Sequence, residues 1–334
     1  MLAAQYTGKP ELEIIDRKLR SLKPNEVMVR VRACGICGTD IKIVEGESHS
    51  TPPVITGHEF CGVVEDIGSE VSTLPRGDFV SVDPNITCGY CEYCRRGRVN
   101  LCRNLQALGV DLDGGFGEYC IAPAGQCYRL SEDVGIKAAA MVEPLSCALY
   151  GIRLAEIVPG DRVGIIGGGF IGLLMIQLSR LEGASEVIVS EPDENRRSRC
   201  LAAGADRAVT PRSLEQDASF REGVHVVIEC VGSTETAEVS LTWVREGGTV
   251  VIFGVSPMGK SIDVSPYDIY KRDLTIRGSF LNPHTFAPAA RLLDTGRIEF
   301  RPEDFGVYGL GDIPQAFDAH REREHIKTLI VMDE

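Results

Sequence analysis

The pattern of hydrophobic and polar positions changes partway along the 334-residue chain. From Leu2 to about Val142, short segments rich in Val and Ile are separated by Gly and Pro, which predicts β-strands joined by turns. The clearest of these predicted strands are EVMVRVRACG, CGVVEDIG, DFVSVDP and FGEYCIAP. We therefore expect the first part of the chain to be β-rich.

From about Cys147 to Phe280 the pattern alternates between strands and helices. Six strands are predicted here: RVGIIGG, EVIVSE, RAVT, HVVIECVG, TVVIFGV and LTIRGSF. One apolar helix face follows the first of them: Ile171, Leu174, Met175, Leu178 and Leu181. Their spacing of three to four residues predicts a helix that ends near Gly183. Six strands separated by helices predict one doubly wound parallel sheet, and hence an α/β fold class.

The remaining chain, from Leu281 onward, is irregular, then helical around PAARLLDTG, and ends in the predicted strand KTLIVMD. We therefore divide the sequence into a β-rich domain at residues 1–146 and a parallel-sheet domain at 147–280. Residues 281–334 are predicted to return and pack on the first domain.

Charge and composition narrow the possible partners. The 48 acidic and 35 basic residues give a formal charge of -13, which disfavours nucleic acid or an anionic membrane as a partner. Apolar runs such as IGLLMI are too short to span a bilayer, and the first residues lack the pattern of a signal peptide. We expect a cytoplasmic protein whose twelve cysteines are reduced or bound to metal.

Four cysteines lie close together in CGYCEYCRRGRVNLC, at Cys88, Cys91, Cys94 and Cys102. Four thiolates complete a tetrahedral zinc site with no open position, which makes such a site structural. An iron–sulfur cluster is the alternative, but its fourth cysteine usually follows after three residues and precedes a proline. The seven-residue gap and the absence of that proline favour zinc.

A second candidate metal site lies in CGICGTD and GHEFCG. Cys37, His58 and Glu59 offer a thiolate, an imidazole and a carboxylate, a set that suits zinc with an open catalytic position. Taken alone, His58 is equally consistent with a strand histidine in the core. Glu143, in MVEPLS, is a further carboxylate in an apolar stretch, and a charge at a helix N-terminus is the alternative for it.

The sequence Gly167-Gly168-Gly169-Phe170-Ile171-Gly172 follows a predicted strand and opens a helix. Gly167 allows a tight turn, Gly169 allows close approach to a pyrophosphate, and Gly172 allows close packing of helix on sheet. Glu191 ends the next strand, where a carboxylate binds ribose hydroxyls and repels a 2′-phosphate. These features predict NAD binding; a tight turn without a ligand is the alternative.

These motifs occur in one order and together resemble the zinc-dependent medium-chain dehydrogenases over nearly the whole chain. The resemblance is greatest to the polyol (sorbitol or L-iditol) dehydrogenase branch, because Glu143 stands where liver-type alcohol dehydrogenases have cysteine. It implies a GroES-like catalytic domain and a Rossmann domain, two zinc ions per chain, a polyol substrate, and a homodimer or homotetramer.

The resemblance also implies roles for individual residues. Cys37, His58 and Glu59 would hold the catalytic zinc, with Glu143 bound directly or through water. Thr39 would accept the substrate proton, and Phe116 would form an aromatic wall of the pocket. Further residues are expected at the cofactor or the substrate: Phe170, Ile171, Arg196, Val255, Ser279 and Phe280 at the cofactor, and Asn282 and His49 at the substrate pocket.

Two positions depart from the family pattern. Leu281-Asn282 replaces the Arg-Tyr pair of animal sorbitol dehydrogenases, so the guanidinium expected at a polyol hydroxyl is missing. Lys42 replaces the histidine that ends the proton relay of liver-type alcohol dehydrogenases, which leaves Glu143 and His49 as candidates for the proton exit.

Several functions remain open besides oxidation of a polyol hydroxyl. L-Threonine 3-dehydrogenases share the CGTD and GHEF motifs, but their substrate needs a partner for its carboxylate, and the sequence offers no evident basic residue. A sugar-alcohol-phosphate or butanediol dehydrogenase is also possible. A non-catalytic nicotinamide redox sensor is the remaining alternative, and it would not need Cys37, His58 and Glu59 beside Thr39.

Overall fold

A computed structural model describes residues 1–215, 220 and 222–332. The strands are β1 (Leu2–Tyr6), β2 (Leu12–Asp16), β3 (Glu26–Gly35), β4 (Val54–Ile55), β5 (Glu59–Ile67), β6 (Phe79–Val82), β7 (Asn85–Ile86), β8 (Gln106–Ala107), β9 (Tyr119–Pro123), β10 (Cys127–Arg129), β11 (Arg162–Ile166), β12 (Glu186–Ser190), β13 (Arg207–Val209), β14 (Val224–Glu229), β15 (Val244–Ile252), β16 (Thr275–Gly278), β17 (Phe305–Gly309) and β18 (Lys327–Val331). The helices are α1 (Gly38–Val44), α2 (Glu92–Arg95), α3 (Ile136–Ala139), α4 (Val142–Ala155), α5 (Phe170–Leu181), α6 (Glu194–Ala202), α7 (Pro211–Glu215), α8 (Thr234–Trp243), α9 (Pro266–Lys271), α10 (Phe286–Asp294) and α11 (Ile313–Arg321).

The chain forms two compact units. The first contains Met1–Ser146 together with Pro283–Glu334, and the second contains Cys147–Asn282. The second unit therefore ends two residues beyond the boundary that the sequence suggested at 280.

The first unit is built around a mixed sheet. Its order is β10-β6-β5-β3-β18-β17, and β9 also pairs with β3. Val27, Val29 and Val31 alternate along β3 and are buried, since successive residues of a strand point to opposite faces. The last strand, β18, runs antiparallel to β3 and pairs Leu329 with Gly35. The C-terminal segment thus belongs to the sheet of the first unit.

The second unit is a parallel sheet. Among the residues described, its order is β13-β12-β11-β14-β15-β16, and every neighbouring pair is parallel. The predicted doubly wound sheet is confirmed. The order reverses between β11 and β14, and in such sheets ligands bind at this switch point, beyond the carboxyl ends of the strands.

Helix α5 confirms most of the predicted apolar face. Leu174, Met175 and Leu178 are buried, whereas Leu181 at the helix end is 37% exposed. Leu181 is the last residue of the helix, and Gly183 then adopts a left-handed conformation with φ of 92°. Among the helices that the structure describes, none has the length and apolarity needed to cross a membrane.

Candidate functional site

A group of potential metal ligands lies at one end of the β3–β5 pair. The thiol of Cys37, the imidazole of His58 and the carboxylate of Glu59 offer ligand atoms that all lie within 4.8 Å of one another. Cys37 lies between the end of β3 and the start of α1, and Glu59 is the first residue of β5. The register pairs Gly35 with Glu59, so the sheet brings the Cys37 loop next to His58 and Glu59.

Asp40 orients this group, although the sequence reasoning assigned it no role. Its carboxylate is fully buried and accepts hydrogen bonds from the backbone N–H groups of Cys37 at 2.8 Å and Gly57 at 3.2 Å. The same carboxylate lies 3.4 Å from Nδ1 of His58. Burial lowers the pKa of His58, but the charge of Asp40 outweighs this effect and raises the pKa well above its ordinary value. Asp40 therefore lies within ion-pair distance of Nδ1 of His58, so Nε2 is the ring nitrogen that would bind a metal.

Lys327 is a second residue that the sequence reasoning missed. It is 5% exposed, and its ammonium forms an ion pair with Oε2 of Glu59. Burial lowers the pKa of Lys327, but attraction to Glu59 and Cys37 outweighs it and raises the pKa above its ordinary value. Lys327 is therefore a buried cation beside the metal ligands, and only the return of the C-terminal strand places it there.

Glu143 lies near this group but outside the 4.8 Å cluster. It is the second residue of α4, is 6% exposed, and its charge acts on Lys327. This burial keeps the carboxylate away from bulk water. The position fits binding through water, and the helix N-terminus adds a favourable dipole.

The donor set of Cys37, His58 and Glu59 fits a zinc ion. Sulfur, imidazole nitrogen and carboxylate oxygen are the three ligand types that zinc takes in proteins, and three protein ligands leave a position open for substrate. Glu59 is 2% exposed and His58 is 9% exposed, so water does not shield the carboxylate. A bound cation would balance its charge beside that of a Cys37 thiolate.

The four-cysteine loop forms the second cluster. The sulfur atoms of Cys88, Cys91, Cys94 and Cys102 all lie within 4.8 Å of one another. Cys88 Sγ lies 3.5 Å from that of Cys102 and 4.0 Å from that of Cys94. Four sulfurs at the zinc–sulfur distance of about 2.3 Å would be separated by roughly 3.8 Å, so the loop already has the size of a tetrahedral zinc site.

Backbone N–H groups in this loop stabilise thiolates. Burial would raise the pKa of Cys88, but hydrogen bonds from the backbone N–H groups of Tyr90 and Cys91 help to lower it to about 6. The N–H group of Asn104 donates to Sγ of Cys102 at 3.4 Å. Because the thiolate is the form that binds metal, these contacts favour zinc binding at Cys88. At Cys94, by contrast, desolvation and the neighbouring thiols raise the pKa to about 12.

In the second unit, the glycine loop connects β11 to α5. Gly167 has φ of 103°, a left-handed conformation that favours glycine. A Cβ on Gly172 would lie 2.1 Å from the carbonyl oxygen of Gly167, whereas one on Gly169 would meet nothing within 4 Å. The close contact keeps α5 against the loop, and the open space at Gly169 leaves its backbone accessible to a phosphate group.

Glu191 has contacts that the sequence did not reveal. It is 5% exposed; its Oε2 accepts the N–H of Gly168 at 2.8 Å and its Oε1 accepts the N–H of Asp193 at 3.0 Å. Glu191 therefore anchors the glycine loop in addition to any contact with a ribose, since each carboxylate oxygen can accept more than one hydrogen bond. Arg196 lies in the first turns of α6, half-buried, and Phe170 and Ile171 begin α5.

Other predicted cofactor residues lie beyond the carboxyl ends of β15 and β16. Val255 is 74% exposed, and Phe280 is 52% exposed. Ser279 donates its N–H to the carbonyl of Ile252 and keeps a buried hydroxyl without a hydrogen-bond partner. Asn282, predicted for the substrate pocket, is 4% exposed. This edge of the sheet is where parallel α/β sheets bind ligands.

Three residues of the first unit that were predicted for the active site, Phe116, His49 and Thr39, lie in three different environments. Phe116 is fully buried, and its ring packs edge-on against Phe317 with centroids 6.1 Å apart, so it packs the core instead of lining an open surface. His49 is at the surface with 76% of its side chain exposed and pairs with Asp111 at 3.0 Å. Thr39 is half-buried in the first turn of α1, two residues after Cys37.

Comparisons with known proteins agree with this arrangement. Residues 23–132 match the alcohol dehydrogenase GroES-like domain, and residues 171–295 match the zinc-binding dehydrogenase family. D-arabinitol dehydrogenase 1 of Uromyces fabae is 32% identical over 98% of this chain and 97% of its own. L-Threonine 3-dehydrogenase of Pyrococcus furiosus is 34% identical over 99% of each chain. A solved structure from Sinorhizobium meliloti 1021, named a putative zinc-binding dehydrogenase and bound to NADP, is 40% identical over 99% of this chain and 98% of its own, with a TM-score of 0.95.

Proposed function

The chain belongs to the zinc-dependent medium-chain dehydrogenase family and is an oxidoreductase, and we propose that it oxidises a secondary hydroxyl of a polyol with NAD. The observation that carries this proposal is the cluster of Cys37, His58 and Glu59, with Glu143 close by. Relatives named D-arabinitol, L-idonate and D-altritol dehydrogenases support the choice of substrate class.

Zinc held by Cys37, His58 and Glu59 would supply a Lewis acid for the substrate oxygen, and the nicotinamide would supply the hydride acceptor. The hydroxyl of Thr39, in the first turn of α1, would accept the substrate proton. Asp40, 3.4 Å from Nδ1 of His58, would orient the ring so that Nε2 binds the zinc. Glu143 adds a buried carboxylate that would bind a second hydroxyl of the substrate or pass on its proton.

Threonine oxidation is the competing function, because several relatives are named L-threonine 3-dehydrogenase. That substrate carries a carboxylate, and its recognition needs a cation. Lys327 is the buried cation of the site, and Glu59 already pairs with it. A neutral polyol therefore fits the charge of the site better than an amino acid does.

The experiment is a panel of substrates with the purified enzyme. NADH formation is measured with C4 to C6 polyols, their phosphates, 2,3-butanediol and L-threonine at matched concentrations. We expect the highest kcat/KM with an unphosphorylated polyol. A higher kcat/KM with L-threonine would overturn the proposed substrate class, and no turnover with any of them would overturn the proposed reaction.

The preference for NAD rests on Glu191, whose carboxylate would repel a 2′-phosphate. The related structure from Sinorhizobium meliloti is bound to NADP, so the preference for NAD over NADP has to be measured for this chain. Binding of each cofactor is measured by titration of protein fluorescence. Tighter binding of NADP than of NAD would refute this assignment.

A further inference from the structure

The ion pair between Lys327 and Glu59 is built across Gly35. Gly35 ends β3, with Glu59 of β5 on one side and Leu329 of β18 on the other. Lys327 precedes Leu329 by two residues and so points to the same face of the sheet. A Cβ at Gly35 would lie 2.1 Å from Oε2 of Glu59 and 3.0 Å from Cε of Lys327. The absence of a side chain at this position gives the two charged groups the space to meet.

The pair is also isolated from water. Lys327 is 5% exposed and Glu59 is 2% exposed. A buried ammonium is unfavourable unless an anion balances it, and the nearest anion is a predicted metal ligand. The ammonium of Lys327 pairs with Oε2 of Glu59. A carboxylate has a second oxygen, so Glu59 can bind a metal through Oε1 while Oε2 stays with the ammonium.

The net negative charge of the proposed zinc ligands and Glu143 is balanced by the ammonium of Lys327. Cys37 as thiolate, Glu59 and Glu143 carry three negative charges, and zinc neutralises two of them. The ammonium of Lys327 neutralises the third. Asp40 lies outside this set, where two backbone N–H groups and the His58 ring stabilise its charge.

We propose that Lys327 is a positioning residue that makes Glu59 bind the catalytic zinc through one oxygen and keeps this ligand weak. The inference rests on the proposed zinc site. Oε2 stays with the ammonium, so Glu59 cannot take a second coordination position. That position remains open to substrate oxygens, and the charge beside the metal keeps the zinc a stronger Lewis acid.

Two substitutions at this position have opposite expected effects on zinc affinity. Lys327→Met keeps the length but removes the charge, which frees Oε2 and removes a repelling cation. We expect zinc to bind ~10-fold more tightly and kcat to fall ~10-fold or more. Lys327→Arg keeps the charge, but a guanidinium binds both oxygens of a carboxylate and competes for Oε1. We expect zinc to bind ~10-fold more weakly in this variant.

Zinc affinity is measured by competition with a chelator, with zinc in the four-cysteine loop of the same protein as internal reference. Lys9→Met is the matched control, because Lys9 also pairs with a glutamate, Glu13, but 67% of its side chain is exposed. Melting temperature and kcat are recorded for each variant. Lys327→Arg retains the buried charge, so its zinc affinity is informative even if Lys327→Met folds poorly.

Zinc affinity in the order Met, Lys, Arg, with reduced kcat for Met, supports the proposal. Weaker zinc binding in both variants, in proportion to a lower melting temperature, would show a structural role and overturn it. Unchanged zinc affinity in Lys327→Arg would also overturn it. Failure of the wild-type enzyme to oxidise any polyol would refute the proposed function alone, since the order of zinc affinities does not depend on the substrate.

Discussion

Replacing Asp40 with asparagine should weaken the catalytic zinc site while leaving the four-cysteine site intact. Asp40 is fully buried; its carboxylate accepts hydrogen bonds from the N–H groups of Cys37 and Gly57 and lies 3.4 Å from Nδ1 of His58. Asparagine has nearly the same shape but presents one N–H₂ group, and this group must face a donor in either orientation of the amide.

The size of the effect follows from these contacts. If the N–H₂ group takes the place of Oδ2, the bond from the Cys37 N–H is lost. If it takes the place of Oδ1, the Gly57 N–H loses its acceptor and His58 loses its negatively charged neighbour. One hydrogen bond to an ionised group contributes about 1.5–3 kcal/mol to folding stability. Loss of a partner behind a metal ligand typically weakens the metal 10–100-fold, or about 1.4–2.8 kcal/mol in binding free energy. We therefore expect zinc affinity at this site to fall roughly 10–100-fold.

The assay is zinc content during titration with a chelator, together with the melting temperature of the zinc-loaded protein. The wild type should release its two zinc ions in two separate steps, and Asp40→Asn should shift only the earlier one. Asp318→Asn is the control, since 70% of that side chain is exposed on α11. Unchanged zinc affinity in Asp40→Asn, or an equal shift of both steps, would refute the role of Asp40 in orienting His58.

Three further substitutions test the other parts of the site. Cys94→Ser should remove one zinc per chain and lower the melting temperature, and iron or a single zinc in the wild type would contradict the two-zinc prediction. Glu191→Ala should weaken NAD binding ~10-fold or more, because the glycine loop loses its anchor and the ribose loses a hydrogen-bond acceptor. NADP binding should weaken less. Equal weakening for both cofactors would leave Glu191 only its anchoring role. Glu143→Gln should lower kcat with a vicinal polyol ~100-fold at nearly constant zinc content. Normal kcat with a lower melting temperature would show instead that Glu143 only stabilises the N-terminus of its helix.

What the sequence predicted well depends on neighbours along the chain. The four-cysteine cluster lies within fifteen residues, and the glycine loop lies between one strand and one helix, so spacing alone was informative. The six strands of the second unit were predicted because most of them contain a short apolar run, such as VGII or VIV, with helical segments between them. The fold class and the family follow from these local patterns.

What the sequence did not predict depends on pairing between distant strands. Asp40 is next to Cys37 in sequence, but its role depends on Gly57 and His58, which only the pairing of β3 with β5 brings to it. The contacts of Glu191 with the Gly168 backbone depend on the packing of β12 beside β11. Phe116 was expected at the substrate pocket from the family resemblance, and the structure shows it buried against Phe317.

Lys327 is the clearest example of a site residue that the sequence did not predict, and the physical reason lies in its burial. A lysine in a short apolar strand such as KTLIVMD is ordinarily read as a strand end in water, because burial of an ammonium is unfavourable. Here β18 enters the sheet beside β3, and Gly35 leaves space above the strand for the ammonium to reach Glu59. The burial is tolerable only because three negatively charged groups of the metal site surround the same position. A site with an excess of acidic ligands thus makes a buried lysine stable at the end of the chain, and the lysine in turn limits how many oxygens those ligands can offer.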